Sequence, residues 1–143
     1  MIRRNCLIRQ VNNFTCQFSM IDAPLRNMLF KTYCNSHYGS ELWDVTSNKI
    51  EDYCIAWRKS VRRIWRLPNT TSRTNVCLIA GCIPMFDEIC RRFLNFIHSC
   101  LVSSSALIQF IASHGIHSGM FSPLGRNVQL CSHRYGIDVT SIG

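Results

Sequence analysis

The sequence predicts an all-α protein of five to seven short-to-medium helices in an irregular bundle, ending in a loop-rich C-terminal segment. Three observations carry that prediction. Apolar residues recur at steps of three and four in successive segments, the period of one helix face. Gly, Pro and Ser clusters divide those segments at short intervals. Apolar residues make up 47% and charged ones 17% of the 143 residues, enough hydrophobicity for a core and too much for a disordered tail.

The elements follow in order. Arg4 to Phe18 reads as a first helix, with Leu7, Val11, Phe14 and Phe18 on one face. A turn follows, and Asp22 or Ala23 can cap a second helix with Pro24 in its first turn. Leu25, Met28, Leu29, Thr32 and Tyr33 continue that stripe to about His37, and Gly39 breaks it. In the connector Glu41 to Ser47, Leu42 and Trp43 are expected to pack as an anchor.

A third helix spans about Ser47 to Leu67 and is the most informative stretch. Ile50, Cys54, Trp57, Val61 and Ile64 form one narrow apolar arc, flanked by Tyr53 and Trp65. Arg58, Lys59, Arg62, Arg63 and Arg66 fall on the other side, and Arg58, Arg62 and Arg66 stack in one row at i, i+4, i+8. Pro68 stops the helix, because proline disfavours helical backbone in the residue before it.

Asn69 to Ser72 is a polar loop. Thr74 to Ala80 is short and apolar and fits a helix turn or a strand, the neighbours favouring helix. Pro84 opens a further helix with Phe86, Ile89, Cys90, Phe93, Leu94, Ile97 and Leu101 on one face; Asp87 and Glu88 sit in its first turn, where the helix dipole favours acids. Ala106 to Ala112 is another short helix. Gly115, Gly119, Pro123 and Gly125 make His114 to Val128 loop-rich, with a turn or two of helix within Asn127 to Tyr135. The expected division is a helical domain at 1–113 and a C-terminal extension at 114–143.

The net charge is +8, and it is uneven. Residues 1–73 hold 12 Lys/Arg against 5 Asp/Glu, and residues 74–143 hold 4 against 3. A face for a polyanion therefore belongs to the first half. Clustered Arg and Lys release counterions from a nucleic-acid backbone; the competing reading of the same face is a solvated surface on an ordinary core helix.

The nine cysteines fall largely among aliphatics, which fits buried thiols in a reduced, intracellular protein, cytoplasmic or nuclear. Neither a secretory signal nor a run long enough for a membrane span is visible, and no membrane partner is expected. The basic, acid-free start Met1–Ile21 also describes a mitochondrial transit peptide, though it reads equally as the first helix.

Signatures of chemistry are few. The adjacent acids Glu51–Asp52 and Asp87–Glu88 both sit at helix starts, where dipole and capping roles account for them. Gly-rich phosphate loops, GxSxG, HExxH and CxxC are absent. Cys77-x4-Cys82, His114-x2-His117 and Cys131-x-His133 offer zinc ligands, but the 31-residue gap before His114 is too long for a compact finger. Neither a metal nor any other cofactor is expected.

Three segments in this order resemble a known family: LFKTYCNSHYGSELW at Leu29–Trp43, AWRKSVRRIWRLP at Ala56–Pro68 and PMFDEICRRFLNF at Pro84–Phe96. They resemble the region after the polymerase core in non-LTR (LINE-type) retrotransposon reverse transcriptases. SPLGRNVQLCSHRYGI at Ser122–Ile137 is similar to that family's C-terminal closing segment. The resemblance implies a helical thumb and its extension, holding a template–product duplex through backbone contacts. It places that role on Arg58, Lys59, Arg62, Arg63 and Arg66.

The family's palm carries an Asp-Asp turn, and this chain has no Asp-Asp pair. The resemblance therefore implies a fragment of an RNA-directed DNA polymerase that is not an enzyme by itself and whose partners are an RNA/DNA duplex and other domains of a parent polymerase. The alternative is an inert helical remnant or a protein-interaction module with no nucleic-acid role.

Overall fold

The computed structural model describes residues 2–34 and 37–138. Seven helices carry the described chain: α1 Ile2–Gln17, α2 Ala23–Tyr33, α3 Asn48–Ile64, α4 Arg73–Ala80, α5 Met85–Leu101, α6 Ala106–His117 and α7 Pro123–Tyr135. Two single 3-10 turns, Ser40–Leu42 and Gly119–Phe121, join them, and no strand occurs among the described residues. The all-α class expected from the apolar periodicity is the class observed.

The chain forms two compact units that interleave in sequence. The first comprises residues 1–38 and 48–87; the second comprises 39–47 and 88–143. The boundaries between these units fall at 38/39, 47/48 and 87/88, whereas the sequence suggested a division at 113/114. Charge separates along these units. The first holds 12 Lys/Arg and 4 Asp/Glu, a net of +8, and the second holds 4 of each, a net of zero.

In the first unit α1 packs along α3, with α2 and α4 beside them. Leu7, Val11 and Phe14 recur at i, i+4, i+7 on α1 and are buried, as are Ile50, Tyr53, Cys54, Trp57, Val61 and Ile64 on α3. Trp57 is 1% exposed, as its central place in the apolar arc requires. Phe30 of α2 meets Phe14 edge-on at 6.5 Å and Trp65 edge-on at 5.1 Å, so three elements share one aromatic cluster. His37, at φ 39°, is buried and shares a 2.8 Å hydrogen bond between Nδ1 and the Tyr53 hydroxyl.

Helix ends explain several departures from expectation. The second helix ends at Tyr33 rather than near His37, and residues 35–36 lie outside the described residues. Asp22 is its N-cap residue but makes no side-chain capping bond. The segment 74–80 is helical: the Ser72 hydroxyl caps α4 by accepting from the Asn75 N–H at 3.3 Å, and Gly81 closes it in the left-handed conformation.

The second unit corrects the loop-rich reading of residues 114–143. Helix α6 runs through Gly115 to His117, and α7 fills 123–135; residues 139–143 lie outside the described residues. The glycines that suggest loops serve close packing instead. A Cβ at Gly125 would sit 2.1 Å from the Gly119 carbonyl oxygen, and one at Gly115 would press on Leu124 at 3.3 Å. Pro123 occupies the first turn of α7, and the Ser122 hydroxyl accepts from the Gly125 N–H at 2.9 Å.

The connector 39–47 is held to α7 rather than anchored by Leu42, which is 71% exposed. Buried Asn127 accepts from the Val45 N–H at 3.0 Å and donates to the Trp43 carbonyl at 2.7 Å. Arg126 pairs with Asp44 at 3.3 Å.

Candidate functional site

The candidate site lies in the first unit, where α1 and α3 run side by side. Arg4, Ile8, Val11 and Asn12 on α1 and Ala56, Lys59, Ser60 and Arg63 on α3 line one open cleft of about 150 Å³. Both sets follow helical spacing, so each helix contributes one edge. The small residues Ala56 and Ser60 leave the notch, and both are buried. The Ser60 hydroxyl donates back to the Ala56 carbonyl at 2.8 Å, so it is spent within the helix. Three of the eight lining residues are cationic and none is acidic.

Arg63 is the pivot of this surface. Its Nη1 donates to Asn12 Oδ1 at 2.6 Å, a neutral partner that fixes the guanidinium without cancelling its charge. Arg63 also lines a second, smaller notch with Phe14, Thr15, Phe18, Ser19, Arg26, Ile64 and Arg66. Lys59, Arg63 and Arg66 are exposed. Arg4, Arg26, Lys59, Arg63 and Arg66 form no ion pair among the described residues.

The structure divides the five expected cations. Lys59 and Arg63 come together with Arg4 in the cleft. Arg58 turns inward: its Nη2 lies 3.1 Å from Glu51 Oε1, and its side chain is only 15% exposed. Glu51 is seven residues earlier, two turns away on the same face. Arg62 donates to the Thr71 carbonyl at 2.8 Å and so ties down the loop after α3, and its Nε is buried without a partner.

Arg66 corrects the expected row of Arg58, Arg62 and Arg66. Helix α3 ends at Ile64, not near Leu67, and Arg66 takes φ 52°. The Leu67 N–H bonds the Arg62 carbonyl at 2.8 Å and the Arg66 N–H bonds the Arg63 carbonyl at 3.3 Å. That is the paired closure of a Schellman cap, with Pro68 following it. Its left-handed position normally takes glycine; here it takes arginine, at a cost of about 1 kcal/mol.

Arg4 and Arg26 join the surface from α1 and α2 and were missed in the sequence because the basic cluster on α3 drew the whole assignment. The available signal was the spacing of Arg4, Ile8, Val11 and Asn12, which puts Arg4 and Asn12 beside the same apolar stripe that packs on α3.

Other chemistry-bearing groups are dispersed. Among the described residues no group of three or more His, Cys, Asp or Glu side chains converges as a metal site requires. None of the nine cysteines forms a disulfide. Burial pushes the Cys34 thiol up to about 11 and raises that of Cys77. Cys131 is raised by a hydrogen bond with Cys90 and by burial. These thiols are held in the un-ionised form, the opposite of an activated nucleophile. No helix is long and apolar enough to cross a membrane among the described residues.

Neither protein-family models, curated proteins nor solved structures yield a match to this chain.

Proposed function

We propose that the first unit binds the phosphate backbone of a nucleic-acid duplex through Arg4, Lys59, Arg63 and Arg66, without catalysing chemistry on it. The observation that carries this reading is the cleft itself: three cations from two helices, no acid among its lining residues, in the unit that holds the chain's entire net charge. Clustered, unpaired cations are expensive to hold together in an isolated protein and become favourable against phosphates, where they release condensed counterions. Arg66 supports the same reading. A residue kept at a strained left-handed cap where glycine would be relaxed points to a role for its side chain.

The resemblance of Leu29–Trp43, Ala56–Pro68 and Pro84–Phe96 to the thumb region of non-LTR reverse transcriptases supports a template–product duplex as the ligand. In that reading the chain is a non-catalytic fragment, and its natural partners include the other domains of a parent polymerase. Incubated with primer–template, nucleotides and Mg2+, it leaves the primer unextended.

The binding experiment is a fluorescence titration of a labelled RNA/DNA hybrid duplex at several salt concentrations. Three to four phosphate contacts predict a log–log salt slope of about −3 to −4. Little base preference is expected, since phosphate contacts position rather than specify. Absence of salt-dependent binding would return the face to the solvated-surface reading.

A further inference from the structure

The smaller notch of the first unit, shared by α1, α2 and the end of α3, is more strongly charged for its size than the cleft. Arg26, Arg63 and Arg66 line a space of about 40 Å³, with no acid among the lining residues. By the ~10–15 Å³ that one water needs, it holds about three water-sized groups. That suits the terminal oxygens of one phosphate and is too small for a sugar or a base. None of the three arginines forms an ion pair among the described residues, not even with Asp22, one turn before Arg26. Neutral acceptors steady two of them instead. Arg63 donates to Asn12 Oδ1 at 2.6 Å, and Arg26 Nη2 donates to the Ile21 carbonyl at 2.8 Å.

Their placement is costly without an anion. Arg63 and Arg66 stand at the C-terminal end of α3, where the helix dipole tolerates cations. Arg26 is the fourth residue of α2, at the end where the dipole opposes a cation. Arg66 is held at φ 52°, a conformation that favours glycine. Two of the three charges therefore sit where their own backbone disfavours them, and an anion between them offsets that cost.

We infer that this notch takes the terminal phosphate monoester of a nucleic-acid strand, so that the first unit reads a strand end as well as a backbone. The inference rests on the nucleic-acid reading for its ligand. Two observations favour an end over an internal phosphate. The first is charge. An internal diester carries a single negative charge, whereas a monoester carries about −1.5 to −2 and three terminal oxygens. Three guanidiniums and the Ser19 hydroxyl match the monoester; the Thr15 hydroxyl is already spent on the Val11 carbonyl at 2.8 Å.

The second observation is aromatic. Phe18 lines the notch and stacks on Tyr33 at 6.3 Å with planes 25° apart, and Tyr33 is 56% exposed. The last base of a strand has one face uncovered, and an exposed ring beside the phosphate site can cover it. A free phosphate ion has no base to place there.

The test compares binding of the whole chain to three internally labelled hybrid duplexes of one sequence, ending in a 5′-phosphate, a 3′-phosphate or hydroxyls only. One phosphorylated duplex is expected to bind at least about tenfold tighter than the hydroxyl-ended one, the gain that a charge-assisted hydrogen bond supplies. Arg26→Gln brings that ratio close to one. Arg66→Gly lowers it too, and serves if Arg26→Gln fails to fold. Lys59→Gln, in the cleft, weakens all three complexes and keeps the ratio. Equal binding of the three duplexes overturns the inference and leaves the backbone reading standing, whereas binding of none overturns both. A ratio unchanged in Arg26→Gln and Arg66→Gly also overturns the inference. So does calorimetry in which inorganic phosphate binds as tightly as the phosphorylated duplex and needs Arg26, which would assign the notch to the free anion.

Discussion

Arg63 on α3 and Asn12 on α1 meet at 2.6 Å, and that contact joins the two edges of the basic cleft. An acid at position 12 would hold the guanidinium as firmly but neutralise it. An amide holds it and leaves its full charge for a ligand. The pairing thus separates two properties of Arg63, its position and its charge. Asn12→Asp is expected to leave the fold intact and to weaken duplex binding, by about 0.5–1 kcal/mol for one partly exposed ion pair. A titration in which Asn12→Asp binds like the parent would show that Arg63 does not touch the ligand.

Arg66 makes an opposed pair of predictions. Arg66→Gly removes a left-handed non-glycine residue from the α3 cap and is expected to leave stability unchanged or raise it by up to about 1 kcal/mol. Duplex affinity falls, and the salt slope flattens by about one unit. Thermal melting and the titration read the two effects separately. A destabilised variant with unaltered binding would remove Arg66 from the interface.

Trp57 is predicted to act only through packing. It is the largest fully buried side chain, so Trp57→Ala should cost about 3–5 kcal/mol. Chemical denaturation measures this. Full stability combined with lost binding would make Trp57 a contact residue instead.

The second unit carries an acid-sensitive contact. Burial raises the Glu88 pKa, but its bonds from Arg92, at 2.7 Å, and Arg91 outweigh burial and hold the carboxyl below the ordinary 4.5. A depressed folded value stabilises above the unfolded pKa and is lost as pH falls through the folded one. Stability is therefore expected to drop below about pH 4.5. Glu88→Gln should lower it at neutral pH by about 1–2 kcal/mol and flatten that acid limb. An acid limb identical in the variant would assign the loss to other groups.

Much of this molecule is legible from periodicity. The steps of three and four located α1, α2, α3 and α5 but not α7, and the apolar arc of α3 named most of its buried residues though not Ala56 and Ser60, because burial of one helix face is what that period records. The ends were less legible. Arg66 leaves the helix because backbone hydrogen bonds close a cap there, and no property of arginine announces it. Gly115 and Gly125 read as breakers, and only the closeness of Leu124 and the Gly119 carbonyl explains them. At the site, the charge cluster on α3 was visible, but which cations stay free was not. Glu51 takes Arg58 and the Thr71 carbonyl takes Arg62, and both partners depend on side-chain reach and loop position.

The most direct test of the central claim compares two sets of substitutions in the salt titration with a labelled hybrid duplex. Arg4→Gln/Lys59→Gln/Arg63→Gln removes the cleft cations, and Gln preserves helix propensity. Arg58→Gln/Arg62→Gln removes the two cations already committed to Glu51 and Thr71. The account predicts that the cleft variant flattens the log–log slope by about two to three units, with its melting little changed, whereas the second variant loses stability and keeps most of the slope. A cleft variant with the parent's slope would contradict the account.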